Sequence, residues 1–97
     1  MSEEIVQMHV VVKGIVQGVG FRFFVFNHGT RLNLKGWVRN CINGDVEILA
    51  EGSRETLEEL LGLTSQGPSM AQVINVVVKW QEAELDLPPF TVLPTDY

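Results

Sequence analysis

The sequence predicts an α+β sandwich, one antiparallel β-sheet with two helices packed on one of its faces. Three observations predict it. Runs rich in β-branched residues stand near both ends and in the middle of the chain. Two stretches with helical apolar spacing separate them, and a tight-turn dipeptide, Asn43-Gly44, joins the two middle strands.

The first strand is predicted over 5–13 (IVQMHVVVK), where β-branched residues dominate. It runs into GIVQGVGF, with glycines at Gly14, Gly18 and Gly20. A helix is predicted over 21–32, because Phe21, Phe24, Val25, His28 and Leu32 recur at three-and-four spacing. Gly29 inside that helix weakens it by roughly 1 kcal/mol relative to Ala, so Gly29→Ala is expected to stabilise it by up to that amount. Asn33 is expected as the left-handed residue that closes the helix. Strands over 35–41 and 45–51 flank Asn43-Gly44, for which a type I′ turn is expected. Ser53 is predicted to cap a second helix over 54–63, with Glu55 in its first turn. Leu57, Leu60 and Leu61 form its apolar stripe, and Gly62 with Gly67-Pro68 is expected to end it. The fourth strand is predicted over 72–82, with Ile74, Val76, Val78 and Trp80 sharing one face. The tail carries three of the four prolines and a short fifth strand over 90–93. Strand, helix, strand, strand, helix, strand is the split βαβ order of ferredoxin-like βαββαβ sandwiches. Right-handed crossovers place the first and third strands side by side at its centre.

A chain of 97 residues predicts a single domain over 1–97. No stretch approaches the roughly 20 apolar residues of a membrane span. The start, Met1-Ser2-Glu3-Glu4, is too acidic for a signal peptide, so a cytoplasmic protein with no membrane partner is expected. The net charge of −5 argues against nucleic acid as a partner. It also means that an anionic ligand must be met by local positive potential. Cys41 is the one cysteine, so no intrachain disulfide forms, and it reads as a small buried hydrophobe. His9 and His28 make no metal pair, and nothing demands more than a monomer. Phe21, Phe23, Phe24 and Phe26 read as core or core edge, and the acidic stretch 55–59 as a solvated helix face.

Residues 14–22 join a strand to a helix N-terminus, where unpaired N–H groups and the positive end of the dipole favour anions. Glycines let such a backbone curl around a ligand, and Arg22 adds a planar fork of donors suited to phosphate oxygens. Three glycines also make an ordinary turn, and both readings stand at this point. The segment does not match G-x-G-x-x-G, and no Gly-Lys-Ser/Thr follows. A second constellation is Gly36-Trp37-Val38-Arg39-Asn40. Asn is a poor strand former, so Asn40 needs a reason. It serves turn chemistry before Asn43-Gly44, or it is a neutral amide that orients a water without repelling an anion. Spacing alone favours the turn.

In these two segments the sequence resembles the acylphosphatase family. The family pattern is Gly-x-Val-Gln-Gly-Val-Gly-Phe/Tyr-Arg, then Gly-aromatic-Val-x-Asn-x-x-x-Gly-x-Val and a later Gly. Residues 14–22 carry the first part; Gly36, Trp37, Val38, Asn40, Gly44, Val46 and Gly52 carry the second. The likeness extends over about residues 5–90. It implies hydrolysis of a small-molecule acyl phosphate to a carboxylate and inorganic phosphate, with no metal and no cofactor. By the same resemblance Arg22 holds the phosphoryl group and Asn40 positions the attacking water. The main-chain N–H groups of Gln17, Gly18, Val19, Gly20 and Phe21 cradle the phosphate. Gly29 stands where the family often has Ala, and Asn33 where it often has Gly. A non-catalytic phosphate- or small-ligand-binding module would use the same cradle and is the alternative. An RNA-binding sheet would need exposed aromatics and a basic surface, and residues 45–51 (DVEILAE) offer neither. A carbamoyl-phosphate-handling domain of a larger maturation protein ranks lower, since the chain reads as complete and lacks zinc-finger cysteines.

Overall fold

The computed structural model describes residues 4–95. The elements follow in the order β1 (Ile5–Ile15), α1 (Phe21–Arg31), β2 (Lys35–Asn40), β3 (Val46–Ser53), α2 (Arg54–Gln66), β4 (Gln72–Glu82) and β5 (Thr91–Val92). The sheet order is β4-β1-β3-β2-β5, so β1 and β3 lie together at the centre, as the crossover rule requires. All pairings are antiparallel except that of β5, which lies parallel to β2 and makes the sheet mixed.

Alternation decides which residues meet the helices. Met8, Val10 and Val12 of β1 point to the covered face with Val38 of β2 and Ile48 and Ala50 of β3. Phe21 and Val25 of α1 and Leu57 and Leu60 of α2 close over them. Each large side chain so buried contributes about 1.5–3 kcal/mol. At the end of α1, Asn33 takes φ 60°. Asn33 N–H donates to the Thr30 carbonyl and Leu34 N–H to the Gly29 carbonyl, each at 3.0 Å, the Schellman closure that a left-handed residue permits.

The structure corrects several expectations. Cys41 N–H donates to the Asp45 carbonyl at 2.9 Å and Gly44 N–H to the Cys41 carbonyl at 3.1 Å, which makes a three-residue loop. Gly44 alone in that loop has positive φ, whereas type I′ needs it at both central residues. Asn43 instead accepts the Asp45 N–H on its side chain at 3.0 Å. A bulge between Lys13 and Gly14 shifts the register with β4, so Val73 turns inward and Ile74 is 75% exposed. α2 runs through Gly62 to Gln66 and is closed by Gly67, whose N–H donates to the Leu63 carbonyl. Cys41 is half-buried rather than buried. Phe23 is not core at all but 64% exposed.

Gly29 reverses its expected effect. A Cβ there would stand 2.8 Å from the ring of Phe90, which is buried between α1 and the sheet. The glycine is a packing requirement, and Ala in its place forces overpacking rather than relieving flexibility.

Candidate active site

Residues 16–20 connect β1 to α1, and Gly18 and Gly20 take left-handed φ values of 75° and 79°. Gly20 is the N-cap of α1, with no side-chain capping bond, and the first turn holds no acidic residue. Among the described residues the main-chain N–H groups of residues 17–23 donate to no acceptor. A row of free donors therefore stands at the positive end of the helix dipole. Arg22, second in the helix, makes no ion pair or hydrogen bond among the described residues.

Asn40 is the last residue of β2 and is 8% exposed. Its Oδ1 is buried and has no hydrogen-bond partner among the described residues. Such an orphan acceptor is rare enough to call for an explanation. Arg22 and Asn40 line one cavity of about 260 Å³ together with Gly18, Gly20 and Phe21. The other described residues of its wall are apolar: Val16, Phe23 and, from β5, Val92. Among the described residues no carboxylate, imidazole or thiol lines it. Among the described residues no group of three or more His, Cys, Asp or Glu is placed to hold a metal ion.

Gln17 and Val19, expected in the cradle, are not among the residues that line the cavity. Val19 is half-buried against the core. Gln17 turns its carboxamide away, and its Nε2 donates to the carbonyls of Cys41 and Asp45, both at 2.8 Å. One amide thus ties the glycine loop to the neck of the β2–β3 hairpin, immediately beside Asn40. On the opposite face of the sheet, Glu47 ties the three strands together. It meets His9 Nε2 at 2.6 Å and accepts from Arg39 Nε at 2.9 Å. Burial alone would raise the Glu47 carboxyl, but its hydrogen bonds to His9 and Arg39 and their charges outweigh that and hold it below its ordinary value.

Sequence reading missed the Gln17 side chain, Phe23 and Val92. The first acts across the fold, and no local pattern marks it. The other two converge only because the proline-bracketed tail docks on β2, where Leu93 N–H reaches the Val38 carbonyl at 2.9 Å.

The model of the acylphosphatase family matches residues 8–92. The chain is 49% identical over 71 residues to an acylphosphatase of Alcanivorax borkumensis, covering 73% of this chain and 77% of that one. It superposes on the crystal structure of acylphosphatase from Bacillus subtilis with a TM-score of 0.87 and 34% identity, covering 91% of this chain and 98% of that one. It also superposes on full-length HypF in its phosphate- and nucleotide-bound form, with a TM-score of 0.88 and 30% identity, over 99% of this chain but 13% of that one. The fold is the ferredoxin-like α+β sandwich of these hydrolases. The chain belongs to the acylphosphatase family and is an enzyme of it. Among the described residues no helix is long and apolar enough to cross a membrane.

Proposed function

We propose that the chain, acting as a single-domain monomer over 1–97, hydrolyses the carboxyl–phosphate bond of small acyl phosphates to a carboxylate and inorganic phosphate. The observation that carries this reading is the meeting of Arg22 and Asn40 in one cavity beneath the uncapped start of α1. In this reading the phosphoryl oxygens accept from the N–H groups of Gln17, Gly18, Val19, Gly20 and Phe21 and from the Arg22 guanidinium. These donors supply the local positive potential that a chain of net charge −5 otherwise lacks. The buried Oδ1 of Asn40 accepts a hydrogen bond from the attacking water and so aims the water's lone pair at phosphorus.

Water oxygen forms the new bond to phosphorus while the bond from phosphorus to the acyl oxygen breaks, and that electron pair leaves on the carboxylate. A carboxylate of ordinary basicity needs no proton to depart. The water's protons pass to the phosphate oxygens, which fits a cavity whose described lining residues include no carboxylate or imidazole. Catalysis then rests on positioning and charge stabilisation, which is what phosphoryl transfer mainly requires.

The test is release of phosphate from acetyl, carbamoyl, benzoyl and 1,3-bisphosphoglyceric acyl phosphates by purified protein, with Arg22→Gln as control. Turnover of at least one substrate that collapses in the variant supports the reading. Phosphate binding without turnover would establish the non-catalytic module instead.

A further inference from the structure

A second cavity lies at the far end of β1, where that strand begins, β4 ends and α2 starts. Val6 lines it, whereas Val16 lines the catalytic cavity. The ten residues of extended chain between them span about 30 Å at the rise of a strand. This cavity is the larger of the two, about 580 Å³, a volume in the range of small-molecule sites. Ile5, Val6, Trp80 and Leu85 give it apolar walls, and of these Ile5 is 44% and Leu85 74% exposed.

The rim is held in place from behind. Leu85 takes φ 65°, a left-handed conformation that a bulky residue adopts only where its surroundings impose it. Buried Glu51 imposes it here, accepting the Glu84 N–H at 2.7 Å and the Leu85 N–H at 3.2 Å. Gln7 Nε2 donates to the same carboxylate at 2.7 Å, and Gln81, also of the cavity wall, donates to Gln7 Oε1. A buried polar network thus keeps an apolar side chain in water at the edge of a cavity. Exposed apolar surface so placed marks a position that a ligand covers.

The charges set the sign of that ligand. Glu4 and Glu82 line the cavity, and Glu55 stands in an adjoining recess that shares Glu4, Val6 and Arg54 with it. Arg54 is already engaged: its guanidinium lies 4.0 Å from the centre of the Trp80 ring and 3.5 Å from Glu58. Among the described residues the rim is therefore acidic, in a chain of net charge −5. An organic cation is attracted there and an anion repelled.

We propose that this cleft is a second binding site, specific for a small organic cation, an amine or guanidinium joined to an apolar body. The apolar body packs against Ile5, Trp80 and Leu85, and the charge sits between Glu4 and Glu82. The two ends of the molecule then select ligands of opposite charge.

The experiment titrates the full chain with 2-phenylethylammonium, 3-phenylpropionate and ammonium ion, following main-chain and indole N–H resonances by NMR. 2-Phenylethylammonium should move the Trp80 indole and residues 81–85 saturably and leave the Trp37 indole and residues 17–23 in place. The anion of similar shape and the ammonium ion, which lacks an apolar body, should not bind. Glu4→Gln combined with Glu82→Gln should weaken binding about fivefold, the scale of two exposed charge contacts. Leu85→Ala should weaken it about fivefold as well, through lost apolar contact. No saturable shift at residues 81–85 overturns the site. So does equal binding of either control ion, or an affinity within about twofold of native in the double variant or in Leu85→Ala. None of these results bears on the hydrolase reading.

Discussion

The two helices of this molecule begin in opposite ways. α2 is closed: Ser53 Oγ accepts the Thr56 N–H at 3.2 Å, and Glu55 sits in the first turn. α1 is open: it starts from a left-handed glycine, without a side-chain cap or an acidic residue, and carries Arg22 in its first turn. A missing cap forgoes about 0.5–2 kcal/mol. A cation at the positive end of a helix costs some tenths more. The same chain thus follows the stability rules at one helix start and breaks them at the other. The start that breaks them faces the cavity shared with Asn40. Local rules are kept where only folding is at stake and set aside where the proposed function has an anion held.

The contrast is broken most severely by substitutions at the open end. Arg22→Gln and Asn40→Ala should each lower kcat/KM by about 10²–10³, equivalent to about 2.7–4 kcal/mol, as for loss of one preorganised hydrogen-bonding group at the reacting centre. The urea midpoint of Arg22→Gln should stay level or rise, since a misplaced cation leaves the helix start. Near-native turnover in either folded variant would end the assignment. At the other end of α1, Gly29→Ala should destabilise the fold by about 1–3 kcal/mol through its collision with Phe90, read as a lowered urea midpoint. A raised midpoint would show that the tail yields easily.

Gln17→Ala sharpens the picture of the loop. The Cys41 and Asp45 carbonyls keep their main-chain partners, so the fold should persist. kcat should fall about tenfold with KM little changed, worth roughly 1.4 kcal/mol. The effect should largely vanish in an Asn40→Ala background, because Gln17 acts by fixing where Asn40 stands. Additive losses would make Gln17 a structural residue only. At the closed end, Ser53→Ala should cost about 1 kcal/mol of stability and leave kcat/KM unchanged. The smallest effect concerns Glu47, which binds protons less readily folded than unfolded. Its contribution is present above the ordinary carboxyl value of 4.5 and is lost as pH falls below it. Glu47→Gln should therefore flatten the decline of Tm with falling pH in that range.

Much of this architecture was legible because local pattern and global fold agree. The strand over 72–82, the Ser53 cap and the central pairing of β1 with β3 followed from periodicity and handedness. Arg22 and Asn40 were legible through their motifs, and the structure brings them to one cavity. What stayed hidden depends on contacts across the fold. The alternation through Ile74 looks unbroken in sequence, and only the bulge that leaves Ile74 unpaired between Val73 and Asn75, opposite Lys13 and Gly14 of β1, turns that side chain out. Gly29 looked like a defect because the ring that needs its space lies far along the chain in the tail. The exposure of Phe23 likewise follows from where α1 sits on the sheet, since its type and spacing match its buried neighbours.

The most direct test of the central claim is a titration of the folded protein with inorganic phosphate, following main-chain amide resonances by NMR. Saturable shifts centred on residues 17–23, absent at residues 54–56 and abolished in Arg22→Gln, are the predicted result. Saturable binding that moves the start of α2 and leaves residues 17–23 unmoved would contradict it.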